Sequence, residues 1–476
     1  MPLLPRGLLV DTTPLRVSPA YRRLWWSLGL SNLGTQLTVV AVGLQVYAIT
    51  GSSLAVGVLG IFALVPLVLL GLYGGALVDL YDRRRVALVS AFVLWGVTGL
   101  VAAQAWLHLD SVGVLYGLVA VQSAASAVHN PARQAIVPRL LEPRLIPAAN
   151  ALSTLTWNVA LTVGPLAAAA LIAVWDYAEA YTIDAVLFTA ALWAVWKLPA
   201  LPPEPADPQP ADPQPADPQP ADPQPADPQP ADSGRPAPPA TAVPASDTGG
   251  KPRPRRPSGL ASVVDGLRYL GTQRNVRTTF VVDLVAMVLA MPRVLFPAAG
   301  VLYLGGGEVT TGVLTAGIAI GGIAAGLFSG GLSRVRWQGR IIVWAITAWG
   351  LSVALFGGVL VTAGRTTPDS VLGVALTFAF LALVVAGASD AISAVFRQTI
   401  LQTATPDAMR GRLQGVFTVV VAGGPRLGDV ALGAGASRVG EGWAAVIGGL
   451  LCVVVLWFVV RRTPRFWAYD SHHPEP

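Results

Sequence analysis

Charge is scarce in this 476-residue chain. Asp, Glu, Lys and Arg together make up 12% of it, about half the share of a soluble globular domain. So few polar side chains cannot cover a water-facing surface of this size. Cysteine is scarcer still. Cys452 is the only one and stands in the apolar run LLCVVVLWFVV, which excludes a disulfide framework or a cysteine metal site. The only lysines are Lys197 and Lys251, and neither completes G-x-x-x-x-G-K-[ST]. No strand precedes a glycine cluster, so neither a P-loop nor a Rossmann unit fits. No nucleotide, cofactor or metal is expected. The N-terminus lacks a compact apolar stretch followed by a small-residue cleavage site, so it does not read as a cleavable signal.

Apolar residues are abundant instead. The set AVILMFWYC makes up 53%, and mean hydropathy is +0.59. A polytopic all-α membrane protein follows, because lipid demands apolar side chains and backbone groups satisfied within the segment. A spanning helix needs about 20 such residues. Twelve candidates are found, at 24–49, 54–78, 86–107, 111–134, 149–174, 178–198, 276–302, 309–333, 341–363, 370–394, 412–438 and 441–461.

Charge in the connections orients them. With the N-terminus inside, all but four of the 32 Lys and Arg fall in inner segments or the helix ends flanking them; Arg365 and Arg438 lie outside, Arg293 and Arg426 within spans. That is the positive-inside asymmetry, and it makes both termini cytoplasmic. It also explains the net charge of +6 without a nucleic-acid partner. The segments read as a cytoplasmic N-terminal stretch 1–23, a six-helix bundle 24–201, a Pro-rich linker 202–258, a second bundle 259–463 and a tail 464–476. The linker holds five copies of ADPQP from Ala206 to Pro230, then KPRPRRP. Such a segment buries no core and reads as an extended spacer.

The halves repeat each other. SAVHNPARQAIV (126–137) aligns with DAISAVFRQTIL (390–401), and VGVL (56–59) with TGVL (311–314). Two six-helix halves in one orientation are a parallel repeat of secondary transporters, with the substrate site near the midplane between them. Gln122, Ser126, His129 and Arg133 form one stripe on span 4, matched on span 10 by Asp390, Ser393 and Arg397. Asn32 and Gln36 on span 1 and Asn158 and Thr162 on span 5 add polar patches. Polar stripes in a bilayer face the bundle interior or a water-filled cavity. These nine, without His129 and Asp390, are the candidate cavity lining: Asn32, Gln36, Gln122, Ser126, Arg133, Asn158, Thr162, Ser393 and Arg397. The competing reading is interhelical hydrogen bonding. Ionisable groups in spans carry more weight, since one at a helix centre costs about 2.5–3.5 kcal/mol on insertion scales. Asp390, Asp429, Arg426, Arg293, Asp283 and His129 are therefore the proton-coupling candidates, Asp390 first. Arg426 and Asp429, three apart on one helix, could instead neutralise each other.

The loop after span 2 reads GGALVDLYDRRRVAL. It resembles the cytoplasmic signature of the major facilitator superfamily, with Gly75, Asp79, Arg83, Arg84 and Arg85 in place, Leu80 where a basic residue is usual and Asp82 where many members have glycine. PARQAIVPRLLEPRLIPAANAL (131–152) and LQTATPDAMRGRLQG (401–415) are similar to the branch that holds enterobactin export and macrolide and multidrug efflux proteins. Gly164-Pro165 and Gly428-Asp429 resemble exporter patterns in spans 5 and 11. The resemblance implies two pseudo-symmetric six-helix bundles, alternating access, and a cytoplasmic gate at those five loop residues. The expected function is proton-coupled export of a lipophilic drug or siderophore-like compound by a monomer in the bacterial cytoplasmic membrane. Its partners are the substrate, protons and the bilayer. The alternatives are an uptake porter of the same fold and a non-transporting sensor or scaffold.

Overall fold

A computed structural model describes residues 11–80, 82–197, 267–327, 335–405 and 407–470. The ADPQP linker lies outside the described residues. Within them stand twelve long helices and no named strand. The first half holds α1 (Pro19–Thr50), α2 (Ser53–Leu80), α3 (Arg83–Trp106), α4 (Val112–Leu140), α5 (Ile146–Val174) and α6 (Tyr177–Trp196). The second holds α7 (Arg274–Leu304), α8 (Gly307–Leu327), α9 (Gln338–Ala363), α10 (Gly373–Thr403), α11 (Asp407–Val439) and α12 (Glu441–Arg462). Eleven are long and apolar enough to cross a membrane. The remaining one, α11, runs over 33 residues and carries Arg426 and Asp429 within it.

Several helices outrun the expected spans at one face. α4 ends at Leu140 rather than 134, and α10 at Thr403 rather than 394. The extra turns carry Arg, Gln and Leu, which hold a helix well in water. Hydropathy marks where the apolar stretch ends, not where the hydrogen-bonded helix does. That face, which also receives the start of α1 and the end of α12, is termed the terminal face. The turns at 51–52, 107–111, 175–176, 305–306, 364–372 and 440 form the distal face.

Local chemistry sets the ends. Ser18 Oγ accepts from Tyr21 N at 3.1 Å to cap α1, and Asp82 Oδ1 accepts from Arg85 N at 3.0 Å to cap α3. Gly305, Gly306 and Gly307 all take positive φ, +74°, +75° and +47°, a turn open to glycine at little steric cost. Just before it, α7 is broken. Its α-helical part stops at Leu289, and a 3₁₀ segment Pro292–Leu295 and a π segment Ala299–Leu304 complete it. Pro292 and Pro297 supply no backbone N–H, which accounts for the interruption.

Two helix pairs join the halves, α2 with α11 and α5 with α8. At Gly57 the backbones come so close that a Cβ would overlap the Asp429 carbonyl; Gly60 lies against Arg426, Gly433 against Ser53, and Gly312 against Ala169 and Pro165. Glycine at these points permits the approach. The row Gly317 and Gly321 on α8, which small-residue spacing suggests for contact between rocking halves, packs on α10 of its own half. On the terminal face the turn Pro464–Trp467 buries Phe466, and Asp470 pairs with Arg336 at 2.7 Å. That carboxylate keeps the Arg336 guanidinium charged above its ordinary range.

Candidate functional site

The densest polar cluster of the second half centres on Arg397. α10 presents Asp390, Ser393 and Arg397 along one stripe, as their spacing predicts. α7 brings Asp283 against them from the facing helix. Arg397 Nη1 forms an ion pair with Asp283 Oδ1, and Nη2 lies 3.5 Å from Asp390 Oδ1. Exposure separates the two acids: the side chains of Arg397 and Asp283 are each 4% exposed, that of Asp390 36%. Asp390 thus stays partly exposed while the pair behind it is sealed. Ser393 Oγ is buried there without a partner.

A second cluster lies about 15 Å further along α7, ten residues at 1.5 Å each. The 3₁₀ break delivers Arg293, which is exposed although it lies within a membrane-spanning helix. The broken segment packs against α2 and α11, so Arg293 faces the junction of the halves. It acts electrostatically on Asp429 and Arg426 of α11. The alternative in which Arg426 and Asp429 neutralise each other takes no direct ion-paired form: both arginines act on Asp429, Arg426 more strongly, neither closes to an ion pair, and Asp429 Oδ1 is buried with no hydrogen-bond partner. Interrupted helices of this kind mark ion and substrate sites in transporters. The signal was in the sequence, as two prolines inside one apolar run.

The first half is different. Arg133 of α4 donates from Nη1 to Ser31 Oγ of α1 at 3.1 Å. His129 Nε2 faces the same nitrogen at 3.5 Å, and His129 Nδ1 lies 3.0 Å from Ser90 Oγ of α3. Ser90 in turn donates to Val86 O at 2.8 Å. The inventory closes with a neutral imidazole that donates from Nδ1 and accepts at Nε2, which fits a hydrogen-bonded structural role. Asp184 of α6 is buried against α1, where Thr38 donates to its Oδ2 and its Oδ1 fits the space left by Gly34.

The remaining stripe residues are dispersed. Asn32, Gln36, Gln122, Ser126, Asn158 and Thr162 are each half-buried. Gln36 packs on Gly164 of α5, and Thr162 spends its hydroxyl on Asn158 O of its own helix at 3.0 Å. At the loop signature, Gly75 and Asp79 belong to α2 and Arg83 to α3, but their side chains lie outside the described residues. Arg84 donates to Trp196 O at 2.6 Å, and Arg85 is exposed. An apolar groove of about 490 Å³ runs beside them between α2, α3 and α4, with Asp82 and Arg85 among its lining.

One feature of the distal face carried no sequence signal. Glu441, the first residue of α12, is buried and accepts from Ser53 Oγ at 3.1 Å and from Tyr303 OH at 3.0 Å. Ser53 belongs to the first half and Tyr303 to the second, so this carboxylate clasps the two together. Its partners lie 388 and 138 residues away, and only the helix N-terminus, which favours an acid, is visible locally.

The comparisons agree with this architecture. The sequence profile of the Major Facilitator Superfamily matches residues 24–425. The enterobactin exporter EntS of Shigella boydii serotype 18 is 26% identical, over 97% of this chain and 99% of the relative. EntS of Escherichia coli SMS-3-5 gives the same figures. Among solved structures, the peptide transporter POT with alafosfalin superposes at a TM-score of 0.69 with 11% identity, over 95% of this chain and 96% of that one. The nucleoside transporter NupG does so at 0.64 with 14% identity, over 93% and 98%. These likenesses show the fold. The profile match spans most of the chain and both bundles: the chain belongs to the major facilitator superfamily and is a multi-pass membrane transporter of small molecules, not an enzyme.

Proposed function

We propose that the protein is a proton-coupled exporter of lipophilic small molecules in the bacterial cytoplasmic membrane, with the terminal face cytoplasmic. The observation that carries coupling is the pair of carboxylates sharing one guanidinium. Arg397 balances one negative charge, and Asp283 holds it in the sealed position. Asp390 is the second charge, and it is the partly exposed one. A proton arriving from water neutralises Asp390 without breaking the Asp283–Arg397 pair, and its departure restores the triad. The Asp429 cluster, between two arginines at the junction of the halves, is the second proton site. Rocking of the halves changes which arginine lies nearer Asp429.

Alternating access needs a closure at each end. Glu441 with Ser53 and Tyr303 is the distal one. Asp79 with Arg83, Arg84 and Arg85 is the terminal one, because an acid there can cap a facing helix N-terminus. Export rather than uptake is favoured by likeness to the enterobactin exporters over nearly the whole chain. Accumulation of a panel of drugs and siderophore-like compounds in cells with and without the protein tests the direction. Lower accumulation of at least one compound is expected, reversed by Asp390→Asn. Raised accumulation would identify an uptake porter, and no change across the panel would remove export of such compounds.

A further inference from the structure

The repeat places an arginine at matched positions of α4 and α10, Arg133 and Arg397. Both are buried, 9% and 4% exposed. Both reach across to the first helix of their own half. There the likeness ends. Arg397 meets Asp283 and Asp390. Arg133 meets a serine hydroxyl and a neutral imidazole. Its Nη2 is buried with no hydrogen-bond partner, and no carboxylate pairs with it among the described residues. Asp184, the buried acid of the same half, is engaged by Thr38 and not by Arg133.

A cation held away from water without a counter-charge is costly, and such groups in membrane proteins mark ligand or ion pathways. A hydrogen bond to Ser31 alone would be met by an uncharged amide. We infer that Arg133 is a subsite for an acidic group of the transported molecule, a carboxylate or comparable planar oxyanion. The free Nη2 supplies the charged donor, and Ser31 holds Nη1 in place. Guanidinium suits planar oxyanions because its donors lie in one rigid plane. Ser126 and Gln122 continue the stripe on α4, and Asn32 lies beside Ser31 on α1; all three are half-buried. They offer uncharged polar contacts for the rest of such a ligand. The inference rests on the transporter reading, but not on export or on proton coupling.

The test is thermal unfolding of the purified full chain in detergent with two matched probes, 2-naphthoate and the uncharged 2-naphthamide. The acid is expected to raise Tm saturably by several degrees, and the amide to leave it unchanged. Arg133→Gln should lose the shift, and Arg133→Lys should keep part of it. Ser31→Asp provides an internal counter-charge like that of Asp283. It should raise Tm without ligand and abolish the naphthoate shift, and it decides the matter if Arg133→Gln fails to fold. No naphthoate shift, or an equal shift in wild type and in either charge-changing variant, overturns the inference. The cell accumulation assay is read separately. Intact efflux with no naphthoate effect removes only this subsite, whereas a specific naphthoate shift with no efflux removes only the exporter reading.

Discussion

Among the described residues, the second half shares one apolar core from Leu270 to Tyr469, whereas the first has smaller buried clusters, those around Ile136 and Leu152 bridged by Val137 and Leu140. Charge divides the same way. Asp283, Arg293, Asp390, Arg397, Arg426 and Asp429 lie in spans of the second half and act on one another, Asp390 on Arg293 as well as on Arg397. In the first half, Arg133 and Asp184 stand apart, each hydrogen-bonded to a neutral hydroxyl. The contrast teaches that a repeated fold can keep its helices and reassign its chemistry. A network able to exchange a proton needs several charges within reach and a rigid frame to hold them. The first half holds instead an isolated cation among neutral partners.

Removing each arginine should expose the difference. Arg397→Ala strands two carboxylates, and breaking a buried ion pair costs about 3–5 kcal/mol. Thermal unfolding in detergent should show a much larger fall than for Arg133→Gln, which removes only the hydrogen bonds to Ser31 and His129, both neutral, and relieves an unpaired charge. Equal losses would break the comparison. Glu441→Ala tests the junction of the halves. It leaves two buried hydroxyls without an acceptor, at about 1–3 kcal/mol for such a loss. A cysteine placed at Ser52 should then react faster with a water-soluble maleimide, because the distal clasp is open; unchanged labelling would remove Glu441 from the gate. Asp79→Asn should slow transport while membrane levels hold, and a normal rate would reject its closing role. The smallest effect belongs to the linker. Deleting two ADPQP copies leaves tens of residues, ample for a short crossing between the halves, so transport should persist. Complete loss with intact membrane levels would instead give the repeat a specific partner.

The sequence shows much of this and misses a definable part. The helices are legible because apolar runs of spanning length have few other uses, and the Asp390–Arg397 stripe is legible because both groups sit on one helix. The Asp283–Arg397 pair is not, since the residues are joined only by packing of α7 on α10. The Glu441 clasp is hidden for the same reason. The surroundings of Asp429 are legible in part. Spacing offers Arg426 as a partner and similar depth offers Arg293, and both act on Asp429 without closing to an ion pair. Short-range spacing reports what one helix can do alone, and the charged clusters are made by helices that meet.

The central claim is that protons are handled by the second half. Substrate-driven proton flux in reconstituted vesicles tests it, using whichever compound the accumulation assay identifies. The pair of substitutions is Asp283→Asn with Asp390→Asn in one protein and Asp184→Asn in another. The account predicts that the double variant binds substrate but moves no proton with it, while Asp184→Asn couples at the unmutated stoichiometry. Undiminished coupling in the double variant, or its loss in Asp184→Asn alone, would contradict the account.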